Sequence, residues 1–343
     1  MNIAIDIGTC NTQVATKNKG VIISEPSVIT YDTYTNSIIA VGDMAYKTIG
    51  KTPERVKATF PMVDGAVSAS ELMENMIRIF IEKGCRKRIS MPKIITAVPG
   101  GITEVEKRAI VNAISSFGVR SVYLIETPKA SAMGAGLDIL SGEGKLVADL
   151  GGGTADIAVL SLGGVSSGIS IKKAGNEMDK NIIKYMKSHY NLSIGQQMAE
   201  QCKKEIGAVK FVDADKTFIM KGRDIVSGLP KAIEVRKSQL IPIYQRTMLE
   251  IIRGIVDVLE NTPPELNGDI LKSGIVFTGG LSKIEGLKEL VKDYIRNLKI
   301  TIASEPELCT VKGIVKASQY INKVDNNKGH EINPLLADRK SVV

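Results

Sequence analysis

The chain has 343 residues, enough for a large core and for two or more domains. Hydrophobic residues make up 43% and aromatics only 4%, with no Trp, which argues against a base-stacking platform and against nucleic acid as a partner. The 45 basic and 37 acidic residues give a net charge of +8, which favours phosphates or an anionic bilayer, with a solvated Lys-rich surface as the plainer alternative.

The chain opens in short β runs. Asn2 to Ile7 is the first, and Gln13 to Thr16 and Val21 to Ser24 flank a hairpin signal at Lys17-Asn18-Lys19-Gly20. Ser27 to Tyr31 and Ile38 to Val41 flank a polar stretch. The period then changes, and Leu72, Met76, Ile79 and Phe80 recur at helical spacing between Glu71 and Lys83. Lys93 to Val98 is an apolar strand, Thr103 to Glu106 reads as a capping box, and Val122 to Ile125 is the next strand. Pro128 to Leu137 starts a helix of small residues.

The pattern then restarts. Leu146 to Leu150 is a strand turned by Gly151-Gly152-Gly153, and Ile157 to Leu162 and Gly168 to Lys172 follow as strands. Helices are expected over Met178 to His189, Gln196 to Ile206 and about Glu234 to Leu259. Ile219 to Val226 alternates. Ile275 to Thr278 is a strand, followed by Gly279-Gly280 and a helix from about Lys283 to Ile295. Strands followed by helices, twice over, indicate an α/β chain of two lobes, each around a mainly parallel sheet. The polar tail from about Asn322 is expected to be a mobile end.

Cys10, Cys85, Cys202 and Cys309 form no CxxC pair, so neither zinc nor a disulfide framework is indicated and a reducing cytoplasm is the economical reading. The chain opens directly into a strand, so no signal peptide is expected. No uncharged apolar run reaches the ~18 residues a membrane span needs, which leaves only peripheral membrane contact.

The most informative feature is an internal repeat. Ile3-Ala4-Ile5-Asp6-Ile7-Gly8-Thr9 resembles Leu146-Val147-Ala148-Asp149-Leu150-Gly151-Gly152, and each runs on into a second β run. A Gly-rich turn leaves backbone N–H groups free for a phosphate. An Asp at each strand end, facing one gap, suits magnesium, which keeps several waters and takes one or two carboxylates plus phosphate oxygens. The chain has no GxxxxGK[ST] loop, and its Gly151 loop leads into a strand, unlike a strand-GxGxxG-helix fingerprint. A third turn, Thr278-Gly279-Gly280 running into Leu281-Ser282, lets a flat base lie against backbone.

These residues resemble the actin-like ATPases and, within them, the bacterial MreB proteins. The resemblance is carried by Asp6-Ile7-Gly8-Thr9-Cys10-Asn11-Thr12, Glu25-Pro26-Ser27-Val28, Val98-Pro99 with Thr103 to Ala109, Gly134-Ala135-Gly136-Leu137, Asp149 to Thr154, Ser161-Leu162-Gly163-Gly164 and Pro263-Pro264-Glu265-Leu266. It runs to about residue 320. It implies an actin-like fold of two duplicated lobes in four subdomains: IA (1–29, 65–140 and 320–343), IB (30–64), IIA (141–177 and 243–319) and IIB (178–242). It also implies ATP or ADP with Mg2+ in the central cleft, and head-to-tail polymerisation into filaments. Thr9, Cys10 and Asn11 would cradle the phosphates with Gly151, Gly152 and Gly153. Asp6 and Asp149 would order the metal and its waters. Glu200 and Lys203 would hold ribose and adenine, with Gly279, Gly280, Leu281 and Ser282 behind the base. From the residues alone, Glu200 and Lys203 are a solvated helix face.

The departures bear on turnover. The family has Glu-Glu-Pro where this chain has Glu126-Thr127-Pro128, and two threonines where it has Thr154-Ala155. Thr127 and Ala155 thus stand where side chains that position the attacking water are expected. A hydroxyl is a far weaker base than a carboxylate, and a methyl forms no hydrogen bond. Glu126, one residue early, would restore the base only by turning in. Hydrolysis is therefore expected to be slow. Gly175-Asn176-Glu177 replaces the family's Gly-Asp-Lys, and Leu281 sits where a third Gly is usual.

By resemblance, the membrane-contacting loop falls at Arg86-Lys87-Arg88-Ile89-Ser90-Met91, a solvated basic loop being the equal alternative. The leading function is a cytoskeletal filament protein for shape or motility, working alone or beside a paralogous filament protein. A sugar kinase of the same superfold would need a carboxylate base facing a second substrate. A chaperone-type ATPase would need a peptide-binding domain, and an adaptor of the FtsA type an inserted domain and a C-terminal amphipathic helix.

Overall fold

The computed structural model describes residues 2–85, 91–116, 118–326 and 338–341. Two mixed sheets repeat one plan. In the first, Asn2–Ile7 pairs antiparallel with Asn11–Thr16, which pairs antiparallel with Gly20–Pro26. On its other side Asn2–Ile7 runs parallel to Lys93–Val98, which runs parallel to Ser121–Glu126. In the second, Lys145–Leu150, Ala155–Ser161 and Gly164–Ile171 form the same antiparallel meander, and Ile275–Thr278 and Ile300–Ile302 add the parallel strands. The expectation of mainly parallel sheets is corrected here. The turns after Asp6 and Asp149 are too short for a parallel crossover, so each sheet is antiparallel on one side of its first strand.

Each lobe carries a smaller three-stranded sheet. Ile29–Asp32, Ile38–Val41 and Val56–Thr59 make one, and Leu192–Ser193, Thr217–Asp224 and Pro230–Arg236 the other. Pro230–Arg236 claims residues that the sequence pattern assigns to a helix. Ile233 and Val235 alternate inward opposite Met220 and Phe218, so strand period wins until Lys237. The helix Lys237–Glu260 begins there, with the Gln239 side chain accepting from the Arg236 N–H at 2.8 Å. In the helix Ser70–Cys85 the buried face is Met73, Met76, Ile77 and Phe80, one step round from the predicted stripe. Gly286, at φ 78°, separates a short 3-10 turn at Gly280–Lys283 from the helix Leu287–Tyr294.

The lobes meet at a floor of two helices, Thr127–Gly134 and Cys309–Asn326. Their backbones touch where side chains are absent. A Cβ on Gly134 would lie 1.8 Å from the Cys309 carbonyl, and one on Gly313 would lie 1.7 Å from the Ala130 carbonyl. Ala4, Ile95, Ile125, Val147, Ala158 and Ile314 join the two sheets to this floor in one apolar cluster.

The tail is not wholly without structure. The last helix runs to Asn326, and Asp338–Ser341 pairs antiparallel with Ser121–Leu124 at the edge of the first sheet. An open edge satisfies its backbone groups by pairing, which a polar segment does as well as an apolar one.

Gly313→Ala is expected to destabilise the protein by about 2 kcal/mol or more, because the methyl meets backbone. Gly268→Ala, in the helix Pro264–Ser273 with nothing within 4 Å, is expected to be neutral or to gain up to about 1 kcal/mol. Urea unfolding of the two variants checks the contrast.

Candidate functional site

Both Asp-Gly turns open onto one cavity of about 500 Å³ between the lobes. That volume suits a nucleotide-sized ligand. Asp6 and Asp149 line it from the ends of matching strands. Burial pushes the Asp6 carboxyl up to about 7, and the nearby charge of Asp156 adds to the effect. Burial also raises Asp149 to about 7, against a hydrogen bond donated by the Thr278 hydroxyl to its Oδ1 at 2.6 Å. The parallel register explains that bond. Asp149 lies opposite Thr278, whereas the equivalent step beyond Ile5↔Thr96 in the first lobe leads to Ala97.

The antiparallel register places a second residue beside each carboxylate. Gln13 faces Asp6, and Asp156 faces Asp149. Gln13 is buried, lines the cavity and donates from Nε2 to the Glu307 carbonyl at 2.9 Å. Asp156 accepts from the Gly100 N–H at 3.0 Å and the Thr154 hydroxyl at 2.9 Å, and burial raises its pKa. Neither residue stands out in the sequence as a site residue. The repeat contained the signal, since 13 follows 6 and 156 follows 149 by the same interval across the same kind of hairpin.

The phosphate-loop residues Thr9, Cys10 and Asn11 and the glycines Gly151, Gly152 and Gly153 all line the cavity. Thr9 Oγ1 accepts from the Gly65 N–H at 3.1 Å. The Cys10 thiol donates to Asn176 Oδ1 at 3.0 Å, across the gap between the lobes. Burial pushes that thiol up to about 11, so it stays protonated and able to donate. A Cβ on Gly152 would lie 2.1 Å from Cys10 Sγ, so the two loops meet only because one is glycine.

On the other wall stand Glu200, Lys203 and Lys204 from the helix Gln196–Ile206. Lys203 is committed to Asp179 at 2.6 Å and to the Gly175 carbonyl at 2.8 Å. Glu200 pairs with Lys204 at 2.6 Å and accepts from the Tyr46 hydroxyl. Gly279, Gly280 and Leu281 line the cavity as well. Gly279, at φ 78°, approaches so closely that a Cβ would lie 2.3 Å from the Leu150 carbonyl. Ser282 does not line the cavity itself. It is buried and donates to the Gly279 carbonyl at 2.7 Å, bracing the turn.

The residues bearing on hydrolysis separate. Thr127, at the start of its helix, lines the cavity. Glu126 instead lines a neighbouring cavity of about 400 Å³ and pairs with Lys129 at 2.8 Å. Strand geometry sends adjacent residues to opposite sides, so a carboxylate one position early faces away. Ala155 is fully buried between Leu150 and Ile171, and Thr154 lines the cavity in its place.

The donor set fits a hydrated magnesium. Asp6 and Asp149 offer desolvated carboxylates at one cavity, with room for waters and phosphate oxygens. Among the described residues, no group of three or more His, Cys, Asp or Glu forms an all-protein metal cage. Arg86, Lys87, Arg88 and Ile89 of the basic loop lie outside the described residues, and Met91 is exposed. Among the described residues no helix is long and apolar enough to cross a membrane.

In the metal-free protein Asp6 and Asp149 hold protons that the unfolded chain, titrating near 3.8, gives up. Their stabilising contribution is full below about pH 4 and is lost as pH rises through about 7. Thermal unfolding in chelator is therefore expected to weaken from pH 5 to 8. Asp6→Asn is expected to flatten that slope, and an unchanged slope would contradict the assignment.

The MreB/Mbl protein family matches residues 1–326. The cell shape-determining protein Mbl of Bacillus subtilis is 37% identical over 329 residues, covering 95% of this chain and 98% of that protein. The cell shape-determining protein MreB of Escherichia coli is 33% identical over 327 residues, covering 94% of each. The crystal structure of MreB5 of Spiroplasma citri bound to AMPPNP superposes with a TM-score of 0.90 at 35% identity, covering 95% of this chain and 98% of that one. A MamK double helical filament shares the fold, with a TM-score of 0.77 at 20% identity over 93% and 99% of the two chains. With its duplicated lobes and central cleft, this chain belongs to the MreB/Mbl family and has the actin-like fold.

Proposed function

We propose that this protein binds a magnesium–adenine nucleotide in the cleft, assembles with copies of itself into cytoskeletal filaments, and turns the nucleotide over slowly. The observation that carries the reading is the pair of strand-end carboxylates, Asp6 and Asp149, desolvated at one cavity between duplicated Gly-rich turns. MreB5 of Spiroplasma citri is solved with AMPPNP and with ADP, which supports ATP and ADP as the ligands here. The MamK filament supports self-association.

Bound magnesium would neutralise phosphate charge and order waters, held through Asp6 and Asp149. The backbone N–H groups of both turns would cradle the phosphates beside Thr9, Cys10 and Asn11. Lys203, fixed by Asp179, would place positive charge on the far wall. The deficit is at the water. Thr127 presents a hydroxyl to the cavity, and Glu126 is held away by Lys129. The four-subdomain division read from the sequence is part of this proposal. It places the two small sheets as IB and IIB. The cell shape-determining relatives support a role in shape, and motility, alone or beside a paralogous filament protein, is the other role proposed.

The basic loop at Arg86, Lys87 and Arg88 would give a monomer weak attraction to an anionic bilayer, at about 1 kcal/mol per charge. A filament would multiply it through avidity. On this reading the protein works in the cytoplasm, peripheral at the inner face of the membrane.

Thr127→Glu is expected to raise phosphate release by roughly 10² or more, the usual worth of a positioned base. Release by the unaltered protein at the rate of a relative with both glutamates would contradict slow turnover. Electron microscopy with ATP is expected to show filaments, and persistent monomers would count against assembly. Charge reversal at Arg86, Lys87 and Arg88 is expected to reduce pelleting with anionic liposomes, and equal pelleting would remove this loop from membrane binding.

A further inference from the structure

Tyr46 belongs to neither phosphate loop and does not line the cavity, yet it spans the cleft. It ends the short helix Asp43–Tyr46, beside the small sheet of the first lobe. Its hydroxyl donates to Glu200 Oε2, and its backbone carbonyl accepts from the Gln197 side-chain amide. Both partners lie on the helix Gln196–Ile206, which packs on the small sheet of the second lobe. One residue thus ties the two small sheets together at the wall where Glu200, Lys203 and Lys204 face the cavity.

The floor of the cleft is fixed by helix packing through Gly134 and Gly313. Separation of the lobes therefore opens the end away from the floor, and that is where Tyr46 acts. Glu200 accepts from Lys204 through Oε1 and from Tyr46 through Oε2. Each carboxylate oxygen has two acceptor sites, so a ligand hydroxyl at Glu200 joins Tyr46 without displacing it. Burial disfavours the charged form of Glu200, but the bonds from Lys204 and Tyr46 hold its carboxyl below the ordinary range, so it remains an acceptor near neutral pH.

We propose that Tyr46 is a positioning residue and latch: it orients Glu200 toward the nucleotide, holds the two lobes closed and sets the rate of nucleotide release. The proposal rests on the nucleotide reading of the cavity. It extends that reading to a residue outside the cavity wall and to exchange.

A hydrogen bond to a charged group is strong enough that its loss changes a rate on the order of tenfold. Release of a fluorescent ATP analogue, chased with excess ATP in magnesium, is the direct test. Tyr46→Phe keeps the ring and the backbone bond and is expected to release about ten times faster. Gln197→Ala, which removes the other bond, is also expected to release faster. In the ligand-free chain, amide exchange across 196–206 is expected to rise in Tyr46→Phe. A Tyr46→Phe protein that binds the analogue and releases it at the unaltered rate overturns the latch and leaves the nucleotide site standing. Absence of binding by the unaltered protein overturns the nucleotide site instead. Unchanged amide exchange in ligand-free Tyr46→Phe then overturns the latch as well.

Discussion

Two carboxylates desolvated at one cavity, Asp149 buried and Asp6 half-buried, set the demands that the surrounding structure meets. Removing an ionised carboxyl from water is costly unless it is paired, hydrogen-bonded or neutralised. The protein supplies little of that itself. Asp149 has one hydroxyl, from Thr278, and Asp156 beside it adds like charge. The metal-free site therefore holds protons up to about pH 7. A site this poorly compensated is suited to a cation, and its neighbours suit an anion alongside: a glycine-rich turn on each side and a fixed lysine opposite.

The same duplication that makes the site makes the cleft around it. Each lobe contributes one hairpin, one glycine turn and one strand-end Asp, so the cavity lies on the boundary between the lobes. The helices beneath meet through Gly134 and Gly313, which lets backbones touch and fixes the floor. What remains adjustable is the far end of the cleft, where Tyr46 reaches Gln197 and Glu200. Occupancy and closure are thus coupled at Glu200.

The repeat around Asp6 and Asp149 was readable because strand periodicity and glycine turns are local properties. The glycine walls were readable for the same reason. Gln13 and Asp156 do not stand out as residue types, although the hairpin register that places them is implicit in the spacing. The sequence leaves the direction of Glu126 open, because one position along a strand end decides between two cavities and only the structure fixes the phase. Tyr46 carried no signal at all: its partners lie more than a hundred residues away on a helix that reads as solvated. The tail strand at Asp338–Ser341 was missed because edge pairing uses backbone, which a polar sequence does not advertise.

Calorimetric titration of ATP with magnesium and with chelator, on the unaltered protein and on Asp6→Asn and Asp149→Asn, tests the carboxylate pair most directly. The account predicts that magnesium raises the affinity of the unaltered protein on the order of tenfold or more and that either substitution abolishes most of the gain. An equal gain in all three proteins would contradict it.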